Sequence, residues 1–152
     1  MARVVRRRRI AAPAGALWGV IADPYHLPRW WPNTQRVESV TDDDAEGTSW
    51  TQVLETKDGR GVRADYRCVE SDEGERYSFE QEIEDTPFQR FVKSVHTDIE
   101  LRPRDGDTEV TITLDRRLRG LSRLGAWMMR RATKRQLDQA LTDLEAIAAG
   151  TS

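Results

Sequence analysis

The chain has 152 residues, of which 38% are hydrophobic and 33% charged, and a formal net charge of −2. That length suits one domain with a substantial core, and the near-neutral total argues against a nucleic-acid partner. A lone cysteine, Cys68, excludes an internal disulfide; with only His26 and His96 as histidines there is no Cys/His zinc site, no metal is expected, and nothing points to a cofactor.

No segment approaches the ~18 apolar residues of a membrane span. The arginine-rich N-terminus lacks the apolar run of a signal peptide. A cytoplasmic protein without integral membrane association is therefore expected. The charge is unevenly spread. Arg6 to Arg9 form one basic run, and Arg116 to Leu137 hold eight Arg or Lys and no acid.

Residues 3 to 10 read as a strand ending at Ala11-Ala12-Pro13. Alternation splits its four adjacent arginines two and two, so one face is wet or lies at the rim of something. Pro13 suits the start of a helix, and Ala14 to Ala22 carries Leu17, Trp18 and Ile21 at helical spacing. Asp23-Pro24 stops it and caps a second short helix, which ends at Trp30, Trp31 and Pro32.

The middle is a run of strands: Thr34 to Thr41, Thr48 to Thr56, Val62 to Ser71, Arg76 to Glu84, Gln89 to Arg102 and Thr108 to Arg117. The links between them are Asp42 to Gly47, the hairpin turn Asp58-Gly59-Arg60-Gly61, Asp72 to Glu75, Asp85-Thr86-Pro87, and Pro103 to Asp107. All are short, which predicts antiparallel neighbours. Alternation predicts an inner face of Trp50, Gln52 and Leu54; Val62, Ala64, Tyr66 and Cys68; Tyr77, Phe79, Gln81 and Ile83; Phe91, Lys93, Val95, Thr97, Ile99 and Leu101; and Thr108, Val110, Ile112 and Leu114. The opposite faces are charged, with His96, Asp98 and Asp115 among them.

The last segment, Gly120 to Ala148, contains no proline. Leu121, Leu124, Met128, Leu137, Leu141, Leu144 and Ala148 recur at helical spacing and predict one apolar stripe. Such a helix would run roughly 40 Å. Only an element that long can cover the inner face of the sheet. Leu121 to Lys134 reads as the half that meets a ligand or partner, and Leu137 to Ala148 as packing.

The order strand, two short helices, six strands, long helix is that of the helix-grip fold. The sequence resembles the START-like, or SRPBCC, superfamily, and within it the polyketide cyclase/dehydrase-like and lipid-transport-like members. The residues that carry the likeness are Ile10 to Pro13, Leu17 to Pro24, Leu27 to Pro32, Leu101-Arg102-Pro103 and Gly106 to Val110. The implied fold is α+β, Bet v 1-like: a curved antiparallel sheet of about seven strands around a long C-terminal helix, with two short helices after the first strand. Residues 1–152 then form a single START-like ligand-binding domain. A cavity is implied between sheet and final helix, opening near the short helices and hairpin loops.

The expected function is binding of a small hydrophobic or aromatic molecule, polyketide-like or lipid-like. Candidate ligand contacts are Trp30, Trp31, Gln52, Tyr66, Tyr77, Phe79, Gln81, Phe88, Phe91, Lys93, Val95, Leu124 and Met128. Gln81 and Lys93 would orient a polar group of the ligand, unless Lys93 snorkels to a surface carboxylate. A polyketide aromatase/cyclase or dehydratase would use the same cavity; no diagnostic catalytic motif is present, and Lys93 and His96 are its candidate acid–base groups. His96 and Asp98 share a face, and a register slip through a bulge would turn them inward. A third possibility is a partner-binding module using Arg119, Arg123, Arg130, Arg131, Lys134 and Arg135. Nothing in the sequence decides between a monomer and a homodimer.

Overall fold

The computed structural model describes residues 2–43, 47–55, 59–120 and 122–150. Leu121, Thr56, Asp58 and 44–46 of the predicted Asp42–Gly47 link lie outside the described residues. The elements in chain order are β1 (Ala2–Ile10), α1 (Ala14–Ile21), a 3₁₀ turn (Pro24–His26) running into α2 (Leu27–Trp30), β2 (Thr34–Asp43), β3 (Gly47–Glu55), β4 (Gly61–Asp72) and β5 (Arg76–Glu82). A second 3₁₀ turn (Pro87–Arg90), β6 (Val92–Arg104), β7 (Asp107–Leu118) and α3 (Arg123–Ala148) complete it.

Among the described residues, seven strands form one sheet in the order β1-β7-β6-β5-β4-β3-β2, every pair antiparallel. β1 and β2 are therefore the two edges, and α1 and α2 carry the chain from one to the other. The cap at Asp23 is the one the sequence predicts, whereas α3 starts later than the expected Gly120. The Asp23 carboxylate accepts from the Tyr25 amide at 3.1 Å, with Pro24 at the first turn. Ser122 caps α3 by accepting from the Gly125 amide at 3.1 Å. The β6–β7 link closes on Asp105 and Gly106, both at positive φ, as a two-residue hairpin turn requires.

The core follows the predicted alternation. Thr108, Val110, Ile112 and Leu114 of β7 are buried against Leu137, Ala140, Leu141 and Leu144 of α3. Of the four N-terminal arginines, Arg6 and Arg8 share a face with buried Val4 and Ile10. That face meets α3: Arg6 pairs with Asp138 at 2.8 Å, and Arg8 donates to the Thr142 hydroxyl at 2.7 Å. The rim expected beside this strand is thus the seam between an edge strand and the long helix.

Two expectations need correction. The strand expected from Gln89 starts later, at Val92, after a 3₁₀ turn opened by Pro87. Between Val92 and Ser94 the register against β7 slips by one residue. An extra residue in one strand reverses the faces upstream of it. Val92 is buried, while Lys93 and Phe91 are exposed rather than inward. Downstream of the slip, Val95, Thr97, Ile99 and Leu101 stay inside, so His96 and Asp98 stay outside.

The second correction concerns the stripe on α3. Leu124 and Met128 are 67% and 58% exposed, whereas Leu137, Leu141 and Leu144 are fully buried. Met128 and Leu137 are nine residues apart. At about 100° per residue that offset is two and a half turns, which places them on opposite sides. One turn before Leu137 and on its side of the helix, Thr133 is buried.

Candidate functional site

Phe79 of β5 is the centre of an aromatic cluster. Trp31, Trp50, Tyr66 and Tyr77 surround it with ring centroids 5.5–6.2 Å away. Most of these contacts are edge-to-face, the geometry favoured by ring quadrupoles. Trp31 is held in place by Trp30, edge-on at 5.4 Å. Pro28 sits in the first turn of α2 and Pro32 follows its end, so both indoles lie at the close of this one-turn helix.

On one side of the cluster the sheet and α3 diverge and leave a cavity of about 490 Å³. That volume lies in the range of small-molecule sites. Tyr66, Phe79, Val95, Thr97, Leu114 and Arg116 form its sheet wall, and Met129, Ala132 and Gln136 its helix wall. Trp31, Pro32 and Asn33, Leu54 and Glu55 at the end of β3, Val62 near the start of β4, and Phe88 from the second 3₁₀ turn complete the lining. Another concavity of similar volume is a surface hollow among Asp72, Arg76, Glu100 and Arg102, and lacks this apolar wall.

Two polar side chains dominate the electrostatics of the cavity. Burial pushes the Tyr66 phenol up to about 12, against a smaller lowering by the Arg116 cation. Tyr66 therefore remains a proton-bearing donor at neutral pH. Burial pulls the Arg116 pKa down, partly opposed by Tyr66; a guanidinium so placed stays charged but loses hydration. Arg116 donates to Gln136 Oε1 at 2.9 Å, Thr133 Oγ1 at 3.1 Å and Met129 Sδ at 3.4 Å.

Of the sequence-predicted contacts, Trp31, Tyr66, Phe79, Phe88 and Val95 line the cavity. Others lie elsewhere. Trp30 is buried behind Trp31, and Tyr77 packs against Trp18 at 6.0 Å and beside Cys68, whose thiol burial shifts up. Gln52 is fully buried and accepts from the Thr34 hydroxyl at 3.3 Å. Gln81 is half-buried outside the cavity wall; its Nε2, like that of Gln52, has no protein partner. Phe91 and Lys93 are carried out by the bulge, and Leu124 and Met128 by the helix phase. His96 is on the outer face, where Nδ1 meets Glu80 at 2.9 Å, and Asp98 takes the Ser78 hydroxyl. His96 and Asp98 thus stay on the charged face where alternation puts them, each held by a different neighbour across the sheet and away from the cavity.

Arg116, Met129 and Gln136 belong to the wall but were not among the predicted contacts. The signal for Arg116 is in the sequence: the inward series Thr108, Val110, Ile112, Leu114 continues by one step to residue 116. A charged side chain at an inner position is easily mistaken for the end of the buried run.

Residues 1–149 match the family model described as polyketide cyclase/dehydrase and lipid transport. The chain belongs to this family. Similar solved structures include a START superfamily protein from Mycobacterium smegmatis, with TM-score 0.80 and 13% identity over 100% of both chains. Zhui aromatase/cyclase from Streptomyces sp. R1128 matches with TM-score 0.77 and 18% identity, over 97% of this chain and 93% of that one. The di-domain ARO/CYC BexL from the BE-7585A biosynthetic pathway matches with TM-score 0.74 and 21% identity; 95% of this chain covers 45% of that protein. At these identities the likeness establishes a shared helix-grip fold. No curated protein matches the sequence significantly. Among the described residues no helix is long and apolar enough to cross a membrane.

Proposed function

We propose that the protein binds a small hydrophobic or aromatic molecule, polyketide-like or lipid-like, between the sheet and α3. The observation that carries this reading is the cavity of about 490 Å³ walled by Trp31, Tyr66, Phe79, Phe88 and Val95. Rigid rings supply contact area at little conformational cost. Membership of a cyclase and lipid-transport family supports the same reading.

The test is fluorescence titration with N-phenyl-1-naphthylamine, a neutral apolar probe. Saturable binding is expected, and Ala132→Phe, which fills the helix wall from an exposed backbone position, is expected to weaken it about tenfold through lost contact area. No saturable binding, or binding indifferent to Ala132→Phe, defeats the proposal. A catalytic form of this reading, ring closure or dehydration of a polyketide, would use Tyr66 as its proton donor. Turnover of candidate polyketides that survives Tyr66→Phe would rule that role out.

A second reading, docking of an acidic partner, is favoured by the outer face of α3. Trp127 is 57% exposed, Arg131 lies 5.6 Å over its ring, and Arg130 and Lys134 flank it. Capture of an acidic protein that weakens with salt and vanishes in Arg130→Glu/Arg131→Glu supports this reading. Capture that is salt-independent rejects it.

A further inference from the structure

We infer that Arg116 anchors an anionic group of the cavity's ligand, which makes the ligand an amphiphilic acid: an apolar or aromatic body with a carboxylate or comparable oxyanion at one end. The inference rests on the ligand-binding reading above.

The argument begins with what surrounds Arg116. In register its neighbours across the sheet are Ala2 on β1 and Val95 on β6, and neither can neutralise it. On α3 it reaches Met129, Thr133 and Gln136, all uncharged. The segment from Arg116 to Leu137 contains no acid at all. Asp115, next in the chain, points to the other face. Glu55, the carboxylate in the cavity wall, is exposed and does not figure among the charges that act on Arg116. Among the described residues no carboxylate pairs with this guanidinium.

Other arginines of the chain are treated differently. Arg6 meets Asp138, Arg9 meets Asp107, Arg63 meets Glu38, Arg67 meets Glu82 and Arg76 meets Glu100, all at 2.8–3.2 Å. Acids are abundant, yet the cation beside the apolar cavity has none. A desolvated charge without a counter-ion is costly, and an anion delivered with the ligand removes that cost. A guanidinium has five N–H donors. Three acceptors on α3 leave donors to offer a planar carboxylate, for which the guanidinium fork is matched. Tyr66, protonated at neutral pH, supplies a further donor from the same wall.

The experiment compares 2-naphthoate with 2-naphthamide, an anion and a neutral molecule of nearly the same shape, as displacers of N-phenyl-1-naphthylamine. The native protein is expected to prefer naphthoate by about tenfold, the scale of one charge-assisted hydrogen-bonded contact. Gln136→Glu is the decisive variant. It is nearly isosteric, keeps Arg116, and sets a carboxylate where Oε1 already lies 2.9 Å from the guanidinium. It should abolish the naphthoate preference, because the counter-ion is now internal. Arg116→Gln should do the same, and Arg130→Glu/Arg131→Glu, outside the cavity, should not. Equal displacement by acid and amide in the native protein, or a preference that persists in Gln136→Glu, overturns the inference and leaves the cavity reading standing. Failure of the neutral probe to bind at all removes the cavity reading and this inference together.

Discussion

Single residues carry the chemistry of this protein, and two of them make the point. Tyr66 and Arg116 face one cavity from different strands, and each is shifted by desolvation in the direction that favours its neutral form. Tyr66 yields a prediction. Its phenol titrates near 12 when folded and near about 10 in an unfolded chain. The unfolded chain therefore releases this proton first. Stability owes nothing to pH through this group below about 10, falls as pH rises between about 10 and 12, and levels beyond. Tyr66→Phe should flatten that fall in alkaline chemical denaturation, with Tyr77, also raised by burial, retaining its own share. An unchanged profile would show that Tyr66 is not shielded as described.

Elements are where sequence patterns were most and least reliable. The cap at Asp23 and the turn at Asp105-Gly106 depend on a few adjacent residues, so they are legible locally. α3 was legible as a helix but not in its phase, because apolar residues fall on both sides of it. Its two halves therefore respond differently. Leu141→Ala, fully buried under the sheet, should cost about 2–5 kcal/mol in urea unfolding, whereas Leu124→Ala should stay within about 0.5 kcal/mol. Similar losses for the two would contradict the division. Leu124, Trp127 and Met128 form an exposed row and take no part in the core. β6 shows the complementary failure. A one-residue slip beside Lys93 has no marker in composition, since a bulge is set by how two strands share hydrogen bonds, and only one of them is read at a time.

At the scale of the whole molecule, the sheet bends far enough from the first half of α3 to leave a space beside the packed core. Saturating the cavity should therefore stabilise the folded chain by mass action. At about 100 times the dissociation constant the gain is about 2.7 kcal/mol. That corresponds to a rise of about 5–10 °C in melting temperature for a chain of this size. Differential scanning calorimetry with N-phenyl-1-naphthylamine checks it, and Ala132→Phe should show a higher starting temperature or a smaller ligand-dependent rise. A rise equal in that variant would place the probe somewhere else.

The amino-acid sequence by itself determined most of the elements, the antiparallel pairing of consecutive strands, and the division of the strands into a core face and a charged face except at the start of β6. These follow from periodicity and turn chemistry, which act over a few residues. The tertiary structure alone decided which inner side chains border space and which are sealed. Trp31 and Trp30 are adjacent, yet one lines the cavity and the other is buried behind it. It also decided that Arg116 is opposed by uncharged residues of α3, a pairing between positions 13 to 20 apart in sequence. No local pattern encodes such a meeting, because it depends on how far a curved sheet and a straight helix separate before they close.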